Sequence, residues 1–192
     1  MGIGKQAKIL TSRQINLVDH FLSQSRNSTR DRVVFLLSVR AGLRAKEIAE
    51  LRWSMVTDAE GQIATDISLP NRASKGKSGR VVPMNSPLRD LLVQWRNEQN
   101  PRSDFVVSTQ RSLRTTAQTV VSMFWRWYGV CGLDASSHSG RRTAITNWAR
   151  KISTVGGSLR DVQNLAGHSS LGMTQRYIDH SPDAQRRVVE LG

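Results

Sequence analysis

The chain has 192 residues, and its 28 Lys and Arg residues outnumber its 15 Asp and Glu residues, which gives a formal net charge of +13 at pH 7. This length suits one domain with its own core, and 38% hydrophobic with 22% charged residues is too apolar a mixture for a disordered basic tail. No apolar run approaches the roughly 18 residues of a membrane span, and the residues MGIGKQAKIL lack an apolar core of the length that a secretory signal needs. The single cysteine, Cys131, excludes a disulfide framework and a Cys-rich metal site. We expect a globular protein of the cytoplasm.

The large positive charge indicates a polyanionic partner. Each phosphate that a Lys or Arg side chain neutralises releases condensed counterions, which favours binding. Nucleic acid is therefore the first candidate, and a basic surface without a binding role is the alternative. An anionic membrane would need a basic amphipathic helix or a lipidation signal, and the sequence shows neither.

The first part of the chain has the apolar spacing of helices. Thr11 or Ser12 can cap a first helix, and Thr29 or Asp31 can cap a second one. Gly42 is the residue type that ends a helix. We therefore predict two helices before this glycine.

We predict a short helix over residues 44–53. After it, the spacing of the apolar residues is no longer helical. Apolar residues then come in two β-favouring pieces, 63–69 and 80–84, on either side of the turn-rich stretch NRASKGKSG. This pattern predicts a small antiparallel sheet whose hairpin tip is rich in Lys and Gly.

Helical periodicity returns after Pro87. Apolar residues recur three and four positions apart in four segments, and two short helical pieces close the chain. The four segments are residues 88–95, 120–128, 145–152 and 159–166. With no internal repeat and no long linker, we predict a single domain over residues 1–192, of the α+β class and mainly α.

The residues suited to chemistry are cationic rather than acidic. The acids are scattered, without the carboxylate cluster of a two-metal nuclease, and neither a Walker loop nor a Gly-x-Ser-x-Gly elbow is present. Arg, His and Lys instead recur in turns and at helix starts, which suits stabilisation of a transferring phosphoryl group without a metal. We expect no cofactor and no metal.

Six residues form the candidate site. His138 and Arg141 lie three apart at a predicted helix start, so both side chains can face one substrate. The other four are spread along the chain: Arg44, Lys75, His168 and Tyr177.

Taken singly, these residues also have purely structural explanations. Arg44 could pair with Glu47 on its own helix, Lys75 could be a solvated turn residue, and Tyr177 could be a core aromatic. Tyr128, the only other tyrosine, lies in the apolar run FWRWYGV and is expected to be a packing residue. Only the combination distinguishes a site.

In order and spacing, these residues and the strings around them resemble the catalytic domain of the tyrosine recombinases, the phage integrase family. The matching strings are AGLRAKEIAELRW, KGKSGRVVP, HSGRRTAITNWARK and LAGHSSLGMTQRYID, and the similarity extends over roughly residues 10–179. The resemblance implies that family's fold, helical with a small antiparallel three-stranded sheet. It also implies a site-specific DNA recombinase of a bacterium, archaeon or phage, acting in integration, excision or inversion.

Carried over by position, the resemblance gives the cationic residues their roles. Arg44 and Arg141 would clamp the non-bridging oxygens of the scissile phosphate. Lys75 would be the general acid that protonates the leaving oxygen. Glu47 stands where the family often has an acidic residue that supports the site.

The resemblance also assigns the two histidines and the tyrosine. His138 would handle the tyrosine proton, and His168 would hydrogen-bond the phosphate. Tyr177 would be the nucleophile, forming a 3′-phosphotyrosyl intermediate without a metal or nucleotide cofactor.

The sequence departs from the family pattern at two places. Gly140 stands where an apolar residue, usually Leu, separates the His-x-x-Arg pair, which predicts looser packing under Arg141. Gly156 and Gly157 predict an atypical loop before the last helices.

Most members of the family carry a helical DNA-binding domain ahead of the catalytic one. Here 43 residues precede Arg44, and we expect no such core-binding domain, as in a minimal member like the invertases of fimbrial phase switches, or in an excised catalytic domain. Residues 178–192 form a tail that either exchanges between protomers or packs in cis.

The partners implied are double-stranded DNA, further copies of the chain in a tetrameric synapse, and possible accessory DNA-binding proteins. Two other functions stay open. A type IB topoisomerase uses a very similar constellation to relax DNA, and a non-catalytic regulator derived from a recombinase would only bind it.

Overall fold

The structure, a computed structural model, describes residues 6–70, 79–99, 103–109, 112–178, 186 and 188–190. Eight α-helices are assigned within these residues: α1 Ser12–Ser23, α2 Ser28–Val39, α3 Ala45–Ala49, α4 Ser86–Glu98, α5 Ala117–Val130, α6 Ser137–Lys151, α7 Leu159–Ala166 and α8 Leu171–Gln175. Strands β1 Asp66–Leu69 and β2 Arg80–Pro83 precede α4, and two 3-10 turns cover Trp53–Met55 and Ile152–Val155. Lys75 lies outside the described residues.

The cap predicted for α1 is confirmed, and the one predicted for α2 is wrong. Thr11 caps α1 by accepting from the backbone N–H of Gln14, whose side chain accepts from the Thr11 N–H in return. α2 begins earlier than predicted, after Asn27. Thr29 and Asp31 are buried inside its first turn, where the carboxylate is stabilised by the helix dipole and by its neighbour Arg30.

The third helix is shorter than predicted, because its expected second half pairs with another segment. α3 ends at Ala49. The carbonyl of Leu51 then accepts from Val106 N–H, and the N–H of Trp53 donates to the Asp104 carbonyl. These backbone groups are used between segments distant in sequence and are not available to a helix.

The sheet has two strands in the described part of the chain, where three were predicted. β1 and β2 pair antiparallel, with Asp66 opposite Pro83. Outside these two strands, Thr57 and Ile63 form an isolated antiparallel bridge, and Ala64 N–H donates to the Val56 carbonyl beside it.

The core surrounds α2, which is buried along almost its whole length. α2 packs against α1, α3, α4 and α6, and α5 packs against α3. The largest buried side chains of α5 are aromatic: Phe124, Trp127 and Tyr128. Tyr128 stacks on Phe124, and burial raises the pKa of its hydroxyl, which confirms the expected packing role.

α6 approaches α2 closely at Gly140. A Cβ at this position would lie 2.3 Å from Ser38 Oγ and 3.0 Å from Val39 Cγ1, well inside van der Waals contact. The expectation of loose packing under Arg141 is therefore wrong, since the glycine allows the two helices to touch.

None of the helices in the described residues is long and apolar enough to cross a membrane.

Candidate functional site

A cavity of about 620 Å³ gathers most of the predicted site at one end of the helical core. It is lined by Arg44 just before α3, by residues of the first two turns of α6, and by the segment from the end of α7 to just beyond α8. The predicted residues found there are Arg44, His138, Arg141, His168 and Tyr177. Five of the six predicted side chains thus converge from segments distant in sequence.

A buried carboxylate joins two arginines at the back of this cavity. Glu47 is 1% exposed and accepts from the backbone N–H and the Nη1 of Arg44, at 2.8 Å each. It also accepts from Nη1 and Nη2 of Arg80 at 2.8 and 2.9 Å. Burial alone would raise the pKa of Glu47, but the hydrogen bonds and charges of Arg80 and then Arg44 lower it to about 2. The carboxylate therefore stays charged and fixes Arg44 at the cavity wall.

Arg80 is a residue of the site that the sequence analysis did not select. It is the first residue of β2, whose alternation points Arg80 and Val82 inward, and its Nε donates to the Leu165 carbonyl at 2.9 Å. A charged residue on the inward face of a strand requires a buried partner, and this signal was present in the sequence. Gly167, with φ +61°, leaves room for the guanidinium, because a Cβ there would lie 2.9 Å from Arg80 Cδ.

Arg141 is held from three directions. It is 4% exposed, and its Nη1 donates to the Gly42 carbonyl at 2.5 Å while its Nη2 donates to the Ala166 carbonyl at 2.7 Å. Its Nη2 also lies 3.3 Å from His168 Nε2. Burial, and then the nearby positive charge of Arg44, lower the pKa of Arg141 to about 10, which leaves the guanidinium charged at neutral pH.

His168 is enclosed between Arg141 and α8. Its Nδ1 lies 3.0 Å from the hydroxyl of Thr174, which is fully buried on α8. Burial of the ring, followed by the charges of Arg141 and Arg44, lowers the pKa of His168 to about 4. The ring is therefore neutral at physiological pH.

Tyr177 lies on the rim of the cavity, beside His168. The two rings stack with centroids 5.2 Å apart and planes at 28°, and the guanidinium of Arg142 lies 5.7 Å from the Tyr177 ring centroid. The tyrosine also packs against a small apolar cluster that includes Ile145 and Val162. Tyr177 therefore lines the cavity and also packs against apolar side chains, so both interpretations given for it from the sequence apply.

His138 is exposed on the first turn of α6. Ser136 caps this helix and its hydroxyl accepts from the His138 backbone N–H at 3.4 Å, which leaves the imidazole free of the cap. Arg142 and Arg176 also line the cavity. These two cationic residues were not selected in the sequence analysis.

The chemical character of the cavity is that of an anion site. Arginine side chains and two histidines line it, and a single buried carboxylate compensates two of the charges behind it. Within the described residues no group of three or more His, Cys, Asp or Glu could hold a metal ion. Guanidinium groups of this kind match the geometry of phosphate oxygens.

The chain matches the phage integrase family over residues 8–184. It is 27% identical over 188 residues to tyrosine recombinase XerA of Thermococcus kodakarensis, covering 94% of this chain and 62% of the relative. It is 30% identical over 154 residues to tyrosine recombinase XerC of Proteus mirabilis, covering 78% of this chain and 47% of the relative. The chain therefore spans between about half and two thirds of the length of these relatives.

Solved structures share the fold. A crystal structure of XerA recombinase superposes with a TM-score of 0.74 at 22% identity, covering 95% of this chain and 64% of that one. A structure of the Tn1549 transposon integrase in complex with a circular intermediate DNA gives a TM-score of 0.78 at 19% identity, covering 99% of this chain and 67% of that one.

Proposed function

The chain belongs to the phage integrase family, and from this membership and the geometry of the cavity we propose that it is a tyrosine site-specific recombinase that cleaves and rejoins DNA strands. The observation that carries the proposal is the convergence of Arg44, Arg141, His168 and Tyr177 on one cavity. In sequence these residues are up to 133 positions apart, from 44 to 177.

In the proposed reaction Tyr177 is the nucleophile. Its hydroxyl oxygen forms a bond to phosphorus, the bond from phosphorus to the 5′ oxygen breaks, and the products are a 3′-phosphotyrosyl link and a free 5′-hydroxyl. His138 takes the tyrosine proton, and Lys75 gives a proton to the leaving oxygen. The covalent link keeps the bond energy, so the attack of a second 5′-hydroxyl reverses the step without ATP or a metal.

The arginines supply the charge stabilisation that this step needs. A phosphodiester in the transition state carries negative charge on its non-bridging oxygens, and preorganised cations in a partly enclosed site stabilise it most. Arg44 and Arg141 are already fixed by Glu47 and by backbone carbonyls. Little reorganisation is needed when the phosphate enters.

Duplex DNA is the proposed substrate, and the charge distribution supports it. Besides the net charge of +13, a second cavity of about 700 Å³ is lined by Arg30, Arg114 and Arg126 together with Ser and Thr hydroxyls at the start of α5. This cavity offers phosphate contacts beyond the reacting one. Binding should be strongly salt-dependent.

Further copies of the chain on DNA, in a tetrameric synapse, and accessory DNA-binding proteins belong to the same proposal. Most of the tail over residues 178–192 lies outside the described residues. Within it, Val188 and Val189 are 64% and 75% exposed, which supports its exchange into a neighbouring protomer.

The test is a nicked suicide substrate in EDTA, built on a target sequence that is first sought as inverted repeats by sequencing the DNA around the coding region. Cleavage releases a short strand that diffuses away, so the covalent intermediate is trapped. A denaturing gel then detects the adduct, and peptide mapping locates the residue that carries it. We expect an adduct at Tyr177 and none in Tyr177→Phe, with DNA binding retained. An adduct that persists in Tyr177→Phe would contradict the assignment.

Tyr128→Phe is the matched control. The Tyr128 hydroxyl is buried without a hydrogen-bond partner among the described residues, so its removal should leave folding and adduct formation unchanged. Strand transfer to a second duplex distinguishes a recombinase from an enzyme that only relaxes DNA.

A further inference from the structure

A side-chain hydrogen bond joins the backbone of Tyr177 to α6. The Thr146 hydroxyl lies 3.1 Å from the Tyr177 carbonyl oxygen, and because a carbonyl only accepts, the hydroxyl is the donor. Thr146 is 0% exposed, and the two residues are 31 positions apart in the chain. Among the described residues, this is the only hydrogen bond between Tyr177 and an element other than α8.

This use of a buried helical threonine differs from the usual one. A threonine inside a helix ordinarily donates to the carbonyl four residues before it. Thr143, on the same helix, does so, because its hydroxyl donates to the Ser139 carbonyl at 2.7 Å. Thr146 instead donates to a residue outside α6, so its hydroxyl joins two segments of the fold.

The turn after α8 depends on such a link for its position. α8 ends at Gln175, and Tyr177 lies two residues beyond it. The Tyr177 N–H donates to the Thr174 carbonyl at 2.9 Å, and the Ile178 N–H donates to the Gln175 carbonyl at 3.0 Å. These local bonds shape the turn but do not place it against the rest of the site. Carbonyls at a helix end have no partner within the helix, and Thr146 supplies a donor from α6.

The same face of α6 contacts the tyrosine ring. Arg142, Ile145 and Thr146 lie at positions i, i+3 and i+4, which places them on one side of the helix. The Arg142 guanidinium lies 5.7 Å from the Tyr177 ring centroid, and Ile145 belongs to the apolar cluster on which the ring packs. Apolar packing is not directional, whereas the hydrogen bond to the backbone fixes the point from which the ring extends.

Arg141, which contacts the phosphate in the proposed reaction, is on this helix, five residues before Thr146. Groups carried by a rigid helix keep their separation more precisely than groups carried by loops. We propose that Thr146 is a positioning residue for the nucleophile, because its hydroxyl fixes the Tyr177 backbone to the helix that carries Arg141. The inference rests on the proposed function for its catalytic consequence, while the position of Tyr177 is a property of the free protein.

The consequence for catalysis follows from the shape of the tyrosine side chain. The phenol is a long, rigid arm, so a small rotation of the Tyr177 backbone moves the hydroxyl oxygen through a larger distance. Attack needs this oxygen close to the phosphorus atom and in line with the leaving oxygen, and a displacement of about 1 Å can cost about 10²-fold in rate. Loss of the Thr146 bond should therefore slow cleavage and leave the DNA contacts of the arginines in place.

The substitution Thr146→Val tests this, because it removes the hydroxyl and keeps the shape of the side chain. We expect single-turnover cleavage of the suicide substrate to fall about 10- to 100-fold. DNA affinity should stay within about threefold of the wild type, since the phosphate contacts are made by other side chains.

Fluorine NMR of the full chain measures the position of the nucleophile independently of catalysis. The chain has two tyrosines, so labelling with fluorotyrosine gives signals from Tyr177 and Tyr128, and Tyr128→Phe assigns them. We expect Thr146→Val to shift or broaden the Tyr177 signal. The Tyr128 signal, which reports on the folded core, should stay unchanged.

Two further variants separate positioning from folding. Thr146→Ser restores the hydroxyl and should restore both the Tyr177 signal and the cleavage rate. Thr143→Val removes another fully buried hydroxyl of α6, one that donates to the Ser139 carbonyl and accepts from Leu10 N–H. It should leave the Tyr177 signal unchanged and the cleavage rate within about threefold.

A wild-type cleavage rate in Thr146→Val would overturn the proposal, as would an unchanged Tyr177 signal or an equal loss of cleavage in Thr143→Val. If the wild type forms no covalent adduct, the proposed function fails, and the Tyr177 signal still decides whether the Thr146 hydroxyl fixes Tyr177 to α6.

Discussion

The two sides of the cavity are built differently. Arg141 is buried, Arg44 is mostly enclosed, and both are fixed by the Glu47 carboxylate or by backbone carbonyls. On the other side, His138 is exposed, and Tyr177 is held by ring stacking and a small apolar cluster. The fold thus fixes the groups proposed to stabilise negative charge on the phosphate, and it leaves the groups proposed to transfer the proton and form the bond accessible to substrate.

This difference predicts which substitutions should affect stability and which should affect catalysis. Changes on the arginine side should lower both catalysis and stability, since these residues are part of the core. Changes on the tyrosine side should lower catalysis and leave stability nearly unchanged.

Arg141→Ala should have the largest effect. It removes a charge aimed at the phosphate and leaves two backbone carbonyls and His168 without a donor. We expect cleavage of the suicide substrate to fall by about 10³-fold or more, while DNA affinity, spread over many basic groups, falls by about threefold or less. Anisotropy titration and single-turnover cleavage measure the two. Equal losses of binding and cleavage would contradict the assignment of Arg141 as a clamp.

Lys75→Ala tests the proposed general acid, which lies in the sequence between β1 and β2 and outside the described residues. We expect cleavage to fall about 10²- to 10⁴-fold, and a substrate with a bridging 5′-phosphorothioate to recover most of the loss, because its leaving group needs no proton. Lys77→Ala, two residues further along the sequence, is the matched control and should cleave both substrates normally. No recovery on the phosphorothioate would exclude Lys75 as the acid.

Glu47→Gln should destabilise the fold and also loosen Arg44, which the carboxylate fixes at the cavity wall. It leaves Arg80 and Arg44 without their buried counter-charge, which costs about 3–5 kcal/mol. Asp19→Asn, which breaks the half-exposed pair of Asp19 with Arg32, should cost under about 1 kcal/mol. Urea denaturation measures the free energy of unfolding of both variants. Similar losses of stability would show that the burial of Glu47 does not strengthen its contribution.

His168 should make stability depend on pH. Its folded-state pKa of about 4 lies below the ordinary 6.5, so the unfolded chain binds the proton more readily. The stability is therefore complete above pH 6.5 and is lost as the pH falls from 6.5 to 4, by up to about 3 kcal/mol. Denaturation of the wild type and of His168→Gln across this range isolates the contribution. Parallel curves would contradict it.

Much of the secondary structure followed from the sequence, because caps and periodicity are local. α7 was predicted over 159–166 and is found there, and the Thr11 cap was confirmed. The start of α2 and the end of α3 were missed, since the burial of Asp31 and the pairing of Leu51 with Val106 depend on contacts distant in sequence.

Part of the site could also be predicted from the sequence, because its motifs are local strings of residues. The motif strings identified five of the residues that line the cavity, because these recur in the family, but Arg142 and Arg176 were not selected. Of the residues that hold these five side chains, Glu47 was named from the sequence and Arg80 was missed. The inward-facing charge of Arg80 is visible in the strand pattern, but its partner lies 33 positions away, at Glu47, and follows only from the packing of elements against one another.

Gly140→Ala should have the smallest effect, and it tests whether the arginine side depends on close helix packing. A Cβ there would overlap Ser38 Oγ at 2.3 Å, so α6 must move away from α2 or the serine must turn, at a cost of about 1–3 kcal/mol. Because Arg141 follows Gly140 on α6 and donates to Gly42 beyond the end of α2, the same movement should slow cleavage.

Ser38→Gly removes the nearest atoms, so the double variant Gly140→Ala with Ser38→Gly should recover part of both losses. The Ser38 hydroxyl has no hydrogen-bond partner among the described residues, so Ser38→Gly alone should cost mainly the backbone freedom of a helical glycine, about 1 kcal/mol. Urea denaturation and suicide-substrate cleavage of the four proteins form a double-mutant cycle, and strictly additive losses would show that the contact between α2 and α6 does not position Arg141.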